Sequence, residues 1–148
     1  MRLNNKSGFT LLEIIIVLII IGVLASLALP RLFSTVEYSR ATEALDNLKT
    51  IRQSVDRCYL QSADYGLCIA FGQLDIDDPN NVTGRFFQYT IASNGPAVGF
   101  TITAQRTATQ YSGPGGPPAA GNNHIYMTYT AATQQAVKSG DGVFANIR

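Results

Sequence analysis

A single acidic residue lies inside a long apolar segment near the start of the chain. Glu13 follows Phe9 by four positions, and the run Phe9–Leu29 holds no other charged side chain. An ionised carboxylate at a bilayer centre costs about 2.5–3.5 kcal/mol on insertion scales, so such a residue normally marks function. A cation held in the same apolar layer would offset that cost. Cleavage after Gly8 would create one, the amino group of Phe9, either on the same helix face as Glu13 or on a neighbouring chain.

The segment around Glu13 is long enough to cross a membrane. Phe9–Leu29 has 21 residues, and a helix of that length measures about 31 Å, the thickness of a bilayer's hydrocarbon core. Basic residues in Met1–Ser7 precede it, so we expect the N-terminus to stay cytoplasmic and the rest to cross outward. Two alternatives remain. The segment could be an ordinary secretory signal cleaved near Ala25–Ala28, or Glu13 could be a stray polar residue that snorkels to the interface.

The other residues capable of chemistry are few. Cys58 and Cys68 stand ten positions apart, and His124 is the only histidine, so a zinc site is not expected. Outside the cytoplasm the two cysteines are predicted to form a disulfide, with two buried free thiols as the alternative. His124 has no identifiable nucleophile partner. With no paired carboxylates and no cofactor motif, the sequence predicts no catalytic residue, no enzyme, no metal site and no cofactor.

Two weaker patterns occur in the middle of the chain. Asp75, Asp77 and Asp78 resemble a fragment of a calcium loop, but no glycine or distal glutamate follows at the required spacing. A solvated acidic turn is the prediction for this segment. Asn81-Val82-Thr83 fits a glycosylation acceptor, a three-residue pattern of low specificity.

The N-terminal residues carry a resemblance to a known family. Gly8-Phe9-Thr10-Leu11-Leu12-Glu13, between a short basic leader and a long apolar run, resembles the class III signal of type IV pilins and type II secretion pseudopilins. The short leader is similar to that of the type IVa group. The resemblance implies that a prepilin peptidase cuts after Gly8 and N-methylates Phe9, and that Glu13 serves subunit recruitment and docking. Gly22 and Pro30 fall where the family places helix-loosening residues.

The resemblance also implies a function and partners. It predicts a structural subunit that waits in the inner membrane as a single-pass precursor and then joins a homopolymeric pilus on the cell surface, serving adhesion, twitching motility or DNA uptake. The implied partners are further copies of the chain, the prepilin peptidase/methyltransferase, the pilus assembly platform and minor pilins. A major pseudopilin of a type II secretion system, a minor pilin and a membrane-anchored binding domain that never polymerises are the alternatives.

Charge argues against nucleic acid as a specific partner. The chain has eleven basic and ten acidic side chains, and loss of Arg2 and Lys6 with the leader would leave nine against ten. No basic patch survives, and Arg85 and Arg106 alone are thin support for DNA binding. A near-neutral balance permits close packing of many copies.

The elements that must position these residues follow from periodicity. After Pro30, which would end or kink an isolated helix, apolar residues recur at spacings of three to five and predict an amphipathic stripe: Leu32, Val36, Ala41, Leu45, Leu48, Ile51, Val55 and Tyr59. The sequence therefore predicts one long helix from Phe9 to about Tyr59. Its first part, residues 9–29, is the membrane or filament-core helix, and residues 30–61 are the amphipathic half.

The remainder, residues 62–148, is predicted to form a globular domain. Residues 62–84 and 109–123 are expected to be loops, and residues 138–148 either an edge strand or a tail. Aromatic and β-branched residues predict strands at 85–92, 97–104 and 124–131, the first two joined at Asn94-Gly95-Pro96. The predicted fold class is α+β, the type IV pilin fold, in which the long helix packs on an antiparallel sheet of three to four strands.

Overall fold

The computed structural model describes residues 9–107 and 123–147. Helix α1 spans Leu11–Ser62, and four strands follow as β1 (Phe87–Gly95), β2 (Gly99–Arg106), β3 (His124–Thr130) and β4 (Gln135–Gly140). The predicted leader, residues 1–8, and most of the predicted loop at 109–123 lie outside the described residues. The chain divides into two compact units, Met1–Val36 and Glu37–Arg148, and α1 contributes to both.

Helix α1 confirms the predicted long helix. It continues through Gly22 and Pro30 and ends three residues beyond the predicted end at Tyr59. Ala63 follows it with a left-handed φ of 54°, a conformation that commonly terminates helices.

The four strands form one antiparallel sheet in the order β1-β2-β3-β4. The predicted strands are confirmed, with β1 and β2 each beginning and ending two or three residues later than expected. The edge strand β4 begins at Gln135, before the segment 138–148 for which two outcomes were open, and that segment supplies the last three residues of β4 and a 3-10 helix at Gly142–Phe144. The hairpin between β1 and β2 needs glycine at Gly99, where φ is 141° and an added Cβ would lie 2.1 Å from the Tyr129 carbonyl oxygen.

The core of the second unit lies between one face of α1 and one face of the sheet. Apolar side chains fill it, namely Ala41, Ala44, Leu48, Ile51 and Val55 from the helix and Phe87, Tyr89, Phe100, Ile102, Ala104, Ile125 and Met127 from the strands. The predicted stripe was wrong at its start, because Leu32 and Val36 are 57% and 37% exposed. The buried helix face begins only at Ala41.

The predicted loop at 62–84 is more ordered than its sequence indicates. It contains three 3-10 helices, Tyr65–Cys68, Phe71–Gln73 and Pro79–Asn81. Asn80 in the last of them donates to the Tyr89 carbonyl oxygen (2.9 Å) and accepts from the Tyr89 amide (2.8 Å). Its side chain thereby satisfies the backbone of Tyr89 at the outer edge of β1, as a neighbouring strand would.

Candidate functional site

The N-terminal half of α1 presents apolar side chains that no described residue of the chain covers. Leu11–Ala28 is long and apolar enough to cross a membrane, and none of it is buried. Phe9, just before the helix, is 79% exposed. The described residues thus include an apolar segment whose burial must come from lipid or from other molecules.

Thr10 fixes where the helix begins, two residues after Phe9. Its hydroxyl oxygen accepts a hydrogen bond from the Glu13 amide at 3.2 Å, as an N-cap residue does. The pattern Thr10-x-x-Glu13 is the sequence signature of a capping box. Thr10 is therefore a further residue of this site, and the capping-box spacing is the sequence signal that marks it.

Phe9 and Glu13 are therefore not both helical. Their predicted position on one helix face is wrong, because α1 starts at Leu11 and leaves Phe9 outside it. Gly8 lies outside the described residues. The pairing of the Phe9 amine with Glu13, and the roles of Gly22 and Pro30 in loosening the helix, stay predictions.

The predicted disulfide is present. Cys58 and Cys68 are bonded, with their Cα atoms 5.9 Å apart. The Ser62 hydroxyl donates to the Cys58 carbonyl oxygen at 3.1 Å, and the Asp64 carboxylate caps the 3-10 helix by accepting from the Gly66 amide at 2.7 Å. The bond thus fastens the last turn of α1 to the segment that follows it.

The acidic segment after the disulfide is partly tied to the helix. Asp75 accepts hydrogen bonds from the Ser54 hydroxyl and from Arg57, whose Nη2 lies 2.8 Å from Asp75 Oδ1. Hydrogen bonds from Arg57 and then from Ser54 hold the pKa of the Asp75 carboxyl well below its usual range. Asp75 is about half exposed, in agreement with the predicted solvated turn, and the structure adds its contacts with Arg57 and Ser54. Within the described residues no group of three or more His, Cys, Asp or Glu side chains could hold a metal ion.

Arg106, considered above for DNA contact, is buried in an ion pair. Its guanidinium Nε lies 3.1 Å from Glu37 Oε2, and the two side chains are only 3% and 12% exposed. Arg40 adds a second contact to Glu37, at 2.6 Å. Arg106 also donates to the Phe86 and Thr107 carbonyl oxygens. The residue therefore joins α1 to the end of β2 and presents no charge to a nucleic acid.

His124 has a structural partner at the start of β3. Its Nδ1 lies 3.0 Å from Asp141 Oδ2, and the Tyr126 hydroxyl donates to the same oxygen at 2.9 Å. Desolvation raises the pKa of the Asp141 carboxyl, but hydrogen bonds from His124 and Tyr126 outweigh it and the net shift is downward. The three side chains hold the start of the C-terminal segment against the sheet.

Comparison with known proteins matches the N-terminal segment to one family. Residues 3–29 fit the prokaryotic N-terminal methylation motif. The chain is 35% identical over 65 residues to the type II secretion system core protein G of Pseudomonas aeruginosa, covering 44% of this chain and 46% of that protein.

Fimbrial proteins match over a longer stretch. Identity is 31% over 98 residues to the type IV major fimbrial protein FimA of Dichelobacter nodosus, covering 66% of this chain and 61% of that protein. It is 30% over 95 residues to a fimbrial protein of Moraxella nonliquefaciens, covering 64% and 59%. The chain thus spans about half to three fifths of the length of these relatives. Its residues 3–29 match the N-terminal methylation motif, and the chain is similar to type IV fimbrial proteins and to type II secretion core proteins G, as its sequence resemblance predicted.

Proposed function

We propose that this chain is the precursor of a structural subunit of a type IV pilus. The observation that carries the proposal is the match of residues 3–29 to the methylation motif, a segment that contains Gly8, Phe9 and Glu13. A prepilin peptidase cuts after Gly8 and methylates the new amino group of Phe9. Residues 1–8 are the leader, 9–29 the membrane and filament-core helix, 30–61 the amphipathic half and 62–148 the globular domain.

Assembly exchanges the lipid around Leu11–Ala28 for the same segment of other copies. Lipid tails are as apolar as these side chains, so burial of apolar area favours neither environment strongly. Close helix packing and a charge pair must supply the preference. Glu13 and the Phe9 amine of a neighbouring copy form that pair, which also fixes the register between subunits because a charge left unpaired in an apolar layer is costly.

Other expected partners process the precursor and assemble the filament. The precursor spans the inner membrane once, the peptidase/methyltransferase processes it, and an assembly platform with minor pilins builds the filament on the cell surface. The assembled fibre serves adhesion, motility or DNA uptake. The chain has no catalytic role of its own and needs no cofactor.

A second candidate function is a major pseudopilin of a type II secretion system. The observation in its favour is the 35% identity to core protein G over 65 residues. The longer match, over 98 residues, is to a major fimbrial protein, and we therefore place the pilus first.

Imaging of sheared fibres separates the two candidates. Cells that express the chain are sheared, the released fibres are pelleted, and an antibody to this chain is applied. Label along whole fibres is expected for a major pilin. Label at tips alone would indicate a minor pilin, and label confined to the envelope would indicate the pseudopilin or a simple anchor.

Replacement of Glu13 tests the assembly mechanism. Glu13→Leu should insert into the membrane and be cleaved yet yield no fibres, whereas Ile14→Leu, an apolar exchange one position away, should assemble normally. Intact mass should begin at Phe9 with one added methyl group. Normal fibres from Glu13→Leu would contradict the charge pair, and a mature terminus near Ser26 or Leu29 would support an ordinary secretory signal.

A further inference from the structure

The hairpin between β1 and β2 contains the only asparagine of the chain that glycine follows, Asn94. Its side chain is exposed, and Gly95 is the last residue of β1. The ladder pairs Ser93 with Phe100 and Gly95 with Gly99, so Asn94 is a bulged residue with no partner in the register. Asparagine is one of the thermally labile residue types. The hairpin therefore presents a labile side chain to water at an irregular point of the ladder.

Asn94 and Gly95 hold the electrophile and the nucleophile of a cyclisation. The Gly95 backbone nitrogen can attack the Asn94 side-chain carbon Cγ within one molecule, which raises the effective concentration of the nucleophile. Glycine has no Cβ, so no side chain crowds the approach to this nitrogen. As the new C–N bond forms, the Gly95 nitrogen loses its proton to water and the side-chain nitrogen leaves as ammonia.

A cyclic succinimide remains, and water completes the reaction. Opening of the ring at Cγ leaves an aspartate at position 94. Opening at the backbone carbonyl carbon of the same position leaves an isoaspartate, in which the main chain continues through the former side chain. In both cases an amide and water give an acid and ammonia, so neither an oxidant nor a reductant is needed.

The folded hairpin engages both reacting groups in hydrogen bonds. The Gly95 amide donates to the Ser93 hydroxyl oxygen at 3.1 Å. The Asn94 side-chain nitrogen donates to the Thr101 hydroxyl oxygen at 3.2 Å, and Asn94 Oδ1 lies 3.5 Å from the same oxygen. Thr101 thus holds the carboxamide toward β2, on the neighbouring strand. Release from Thr101 must precede ring closure, and this contact therefore controls the rate.

A second dipeptide in the chain could form the same ring but is held more firmly. The carboxylate of Asp141, which precedes Gly142, accepts from the Tyr126 hydroxyl at 2.9 Å and lies 3.0 Å from His124 Nδ1. An ionised carboxylate is also a poorer electrophile than an amide. An exposed amide beside a glycine is thus found at Asn94 and not at Asp141.

We propose that Asn94-Gly95 is a self-modification site, at which Asn94 becomes aspartate or isoaspartate with water as the only co-reactant, and that Thr101 is its positioning residue. Each event removes an amide donor and adds one negative charge, which lowers the formal net charge of the chain from +1 to zero. The conversion is irreversible, so the modified fraction records the age of a copy. The reaction takes place within one chain and does not rest on the proposed pilus.

Ageing of the purified chain tests the proposal. The full chain in detergent is kept for several weeks in neutral buffer made with heavy-oxygen water, and samples are analysed by peptide mapping and mass spectrometry. We expect the Asn94 peptide to gain acid and a single heavy oxygen atom. Asn81 is also exposed, but the branched side chain of Val82 crowds the attacking nitrogen, so the Asn81 peptide should stay unchanged. Asn94→Gln should stay unmodified because its longer side chain cyclises far more slowly.

Matched variants test the role of Thr101. Thr101→Val keeps the branched shape and removes the hydroxyl, so modification should be about two- to tenfold faster, the change that loss of one ordinary hydrogen bond corresponds to. Thr128→Val removes the hydroxyl that lies 3.3 Å from Thr101 on the side of β3 and should leave the rate unchanged. Thermal unfolding of each variant shows whether the domain is intact. The chain unfolded in urea should react faster than any folded variant.

Two results would overturn the proposal. Absence of heavy oxygen at Asn94, or equal modification of Asn94 and Asn81, would remove the site. Equal rates for the wild type and Thr101→Val, or equal acceleration by Thr128→Val, would remove the role of Thr101. Imaging of fibres measures a different property, so failure here leaves the pilus proposal standing.

Discussion

The two halves of α1 differ both in apolar content, with 15 apolar residues among the 18 of Leu11–Ala28 and six among the 15 of Ala41–Val55, and in how those residues are buried. Leu11–Ala28 carries apolar side chains all around the helix, with Glu13 as the one charged residue, and it is unburied throughout. From Ala41 to Val55, apolar residues occupy one side, and the sheet of the same chain covers them. The amount of apolar surface and its distribution around the helix together separate the two halves. A face that the chain itself covers stabilises the fold, while a surface apolar all round requires a membrane or other copies.

Replacing one leucine in each half of α1 tests this division of roles most directly. Leu48 is fully buried and Leu24 is 62% exposed. Leu48→Ala should lower the free energy of unfolding of the globular domain by about 2–5 kcal/mol, since it leaves a cavity in the core. Leu24→Ala should leave that free energy unchanged. Denaturant unfolding in detergent, followed by near-UV circular dichroism, measures both, and equal losses would contradict the division of roles.

Removal of the disulfide is expected to cause the next largest loss of stability. The bond closes a short loop at the end of the covered half of α1. A disulfide typically contributes about 2–4 kcal/mol to the free energy of unfolding. Reductant should therefore lower the midpoint of denaturant unfolding. The Cys58→Ser, Cys68→Ser double variant should have the same midpoint as the reduced protein, and reductant should not change it. Thiol labelling of the denatured, non-reduced chain should find no free thiol, and full labelling would refute the bond.

Acid should destabilise the globular domain through Asp75. The folded-state pKa of Asp75 lies below its ordinary value of 3.8, so the stability that this carboxylate contributes is present above about pH 4 and is lost as pH falls through the folded-state pKa. Asp75→Asn should be less stable than the wild type at neutral pH and lose less on acidification. Unfolding midpoints from pH 7 to pH 2 test this, and parallel curves for the two proteins would contradict it.

The smallest expected effect is a gain in stability, from replacing Ala63 with glycine. Ala63 ends α1 with φ of 54°, a conformation that costs an L-residue other than glycine roughly 1–2 kcal/mol. Ala63→Gly removes that cost but gives the unfolded chain more freedom. A net stabilisation of up to about 1 kcal/mol is therefore expected, as a higher unfolding midpoint. Ala70→Gly, at an exposed position with φ of −106°, is the control and should not stabilise.

Features that depend on neighbouring residues were predictable. Strand alternation, the long helical pattern, the paired cysteines and the motif from Gly8 to Glu13 all lie within short stretches of sequence. Leu32 and Val36 show the limit of that reasoning. They continue the helical period perfectly well, yet periodicity states which side of a helix is apolar and not how far along it a covering sheet extends.

The sequence by itself determined the apolar segment with its single carboxylate, the α+β class and the identity of the cysteine pair. Only the tertiary structure decided that Arg106 is buried against Glu37, 69 positions away, that Asp75 is bound to Arg57, and that Asn80 covers the edge of β1. The physical reason is that these partners are distant in the chain or lie in irregular segments. A charged or amide side chain needs one particular partner, and no periodicity in the sequence indicates which residue that is. Apolar residues can pack against any apolar surface, so the pattern that places them on one side of a helix or strand is enough to predict their burial.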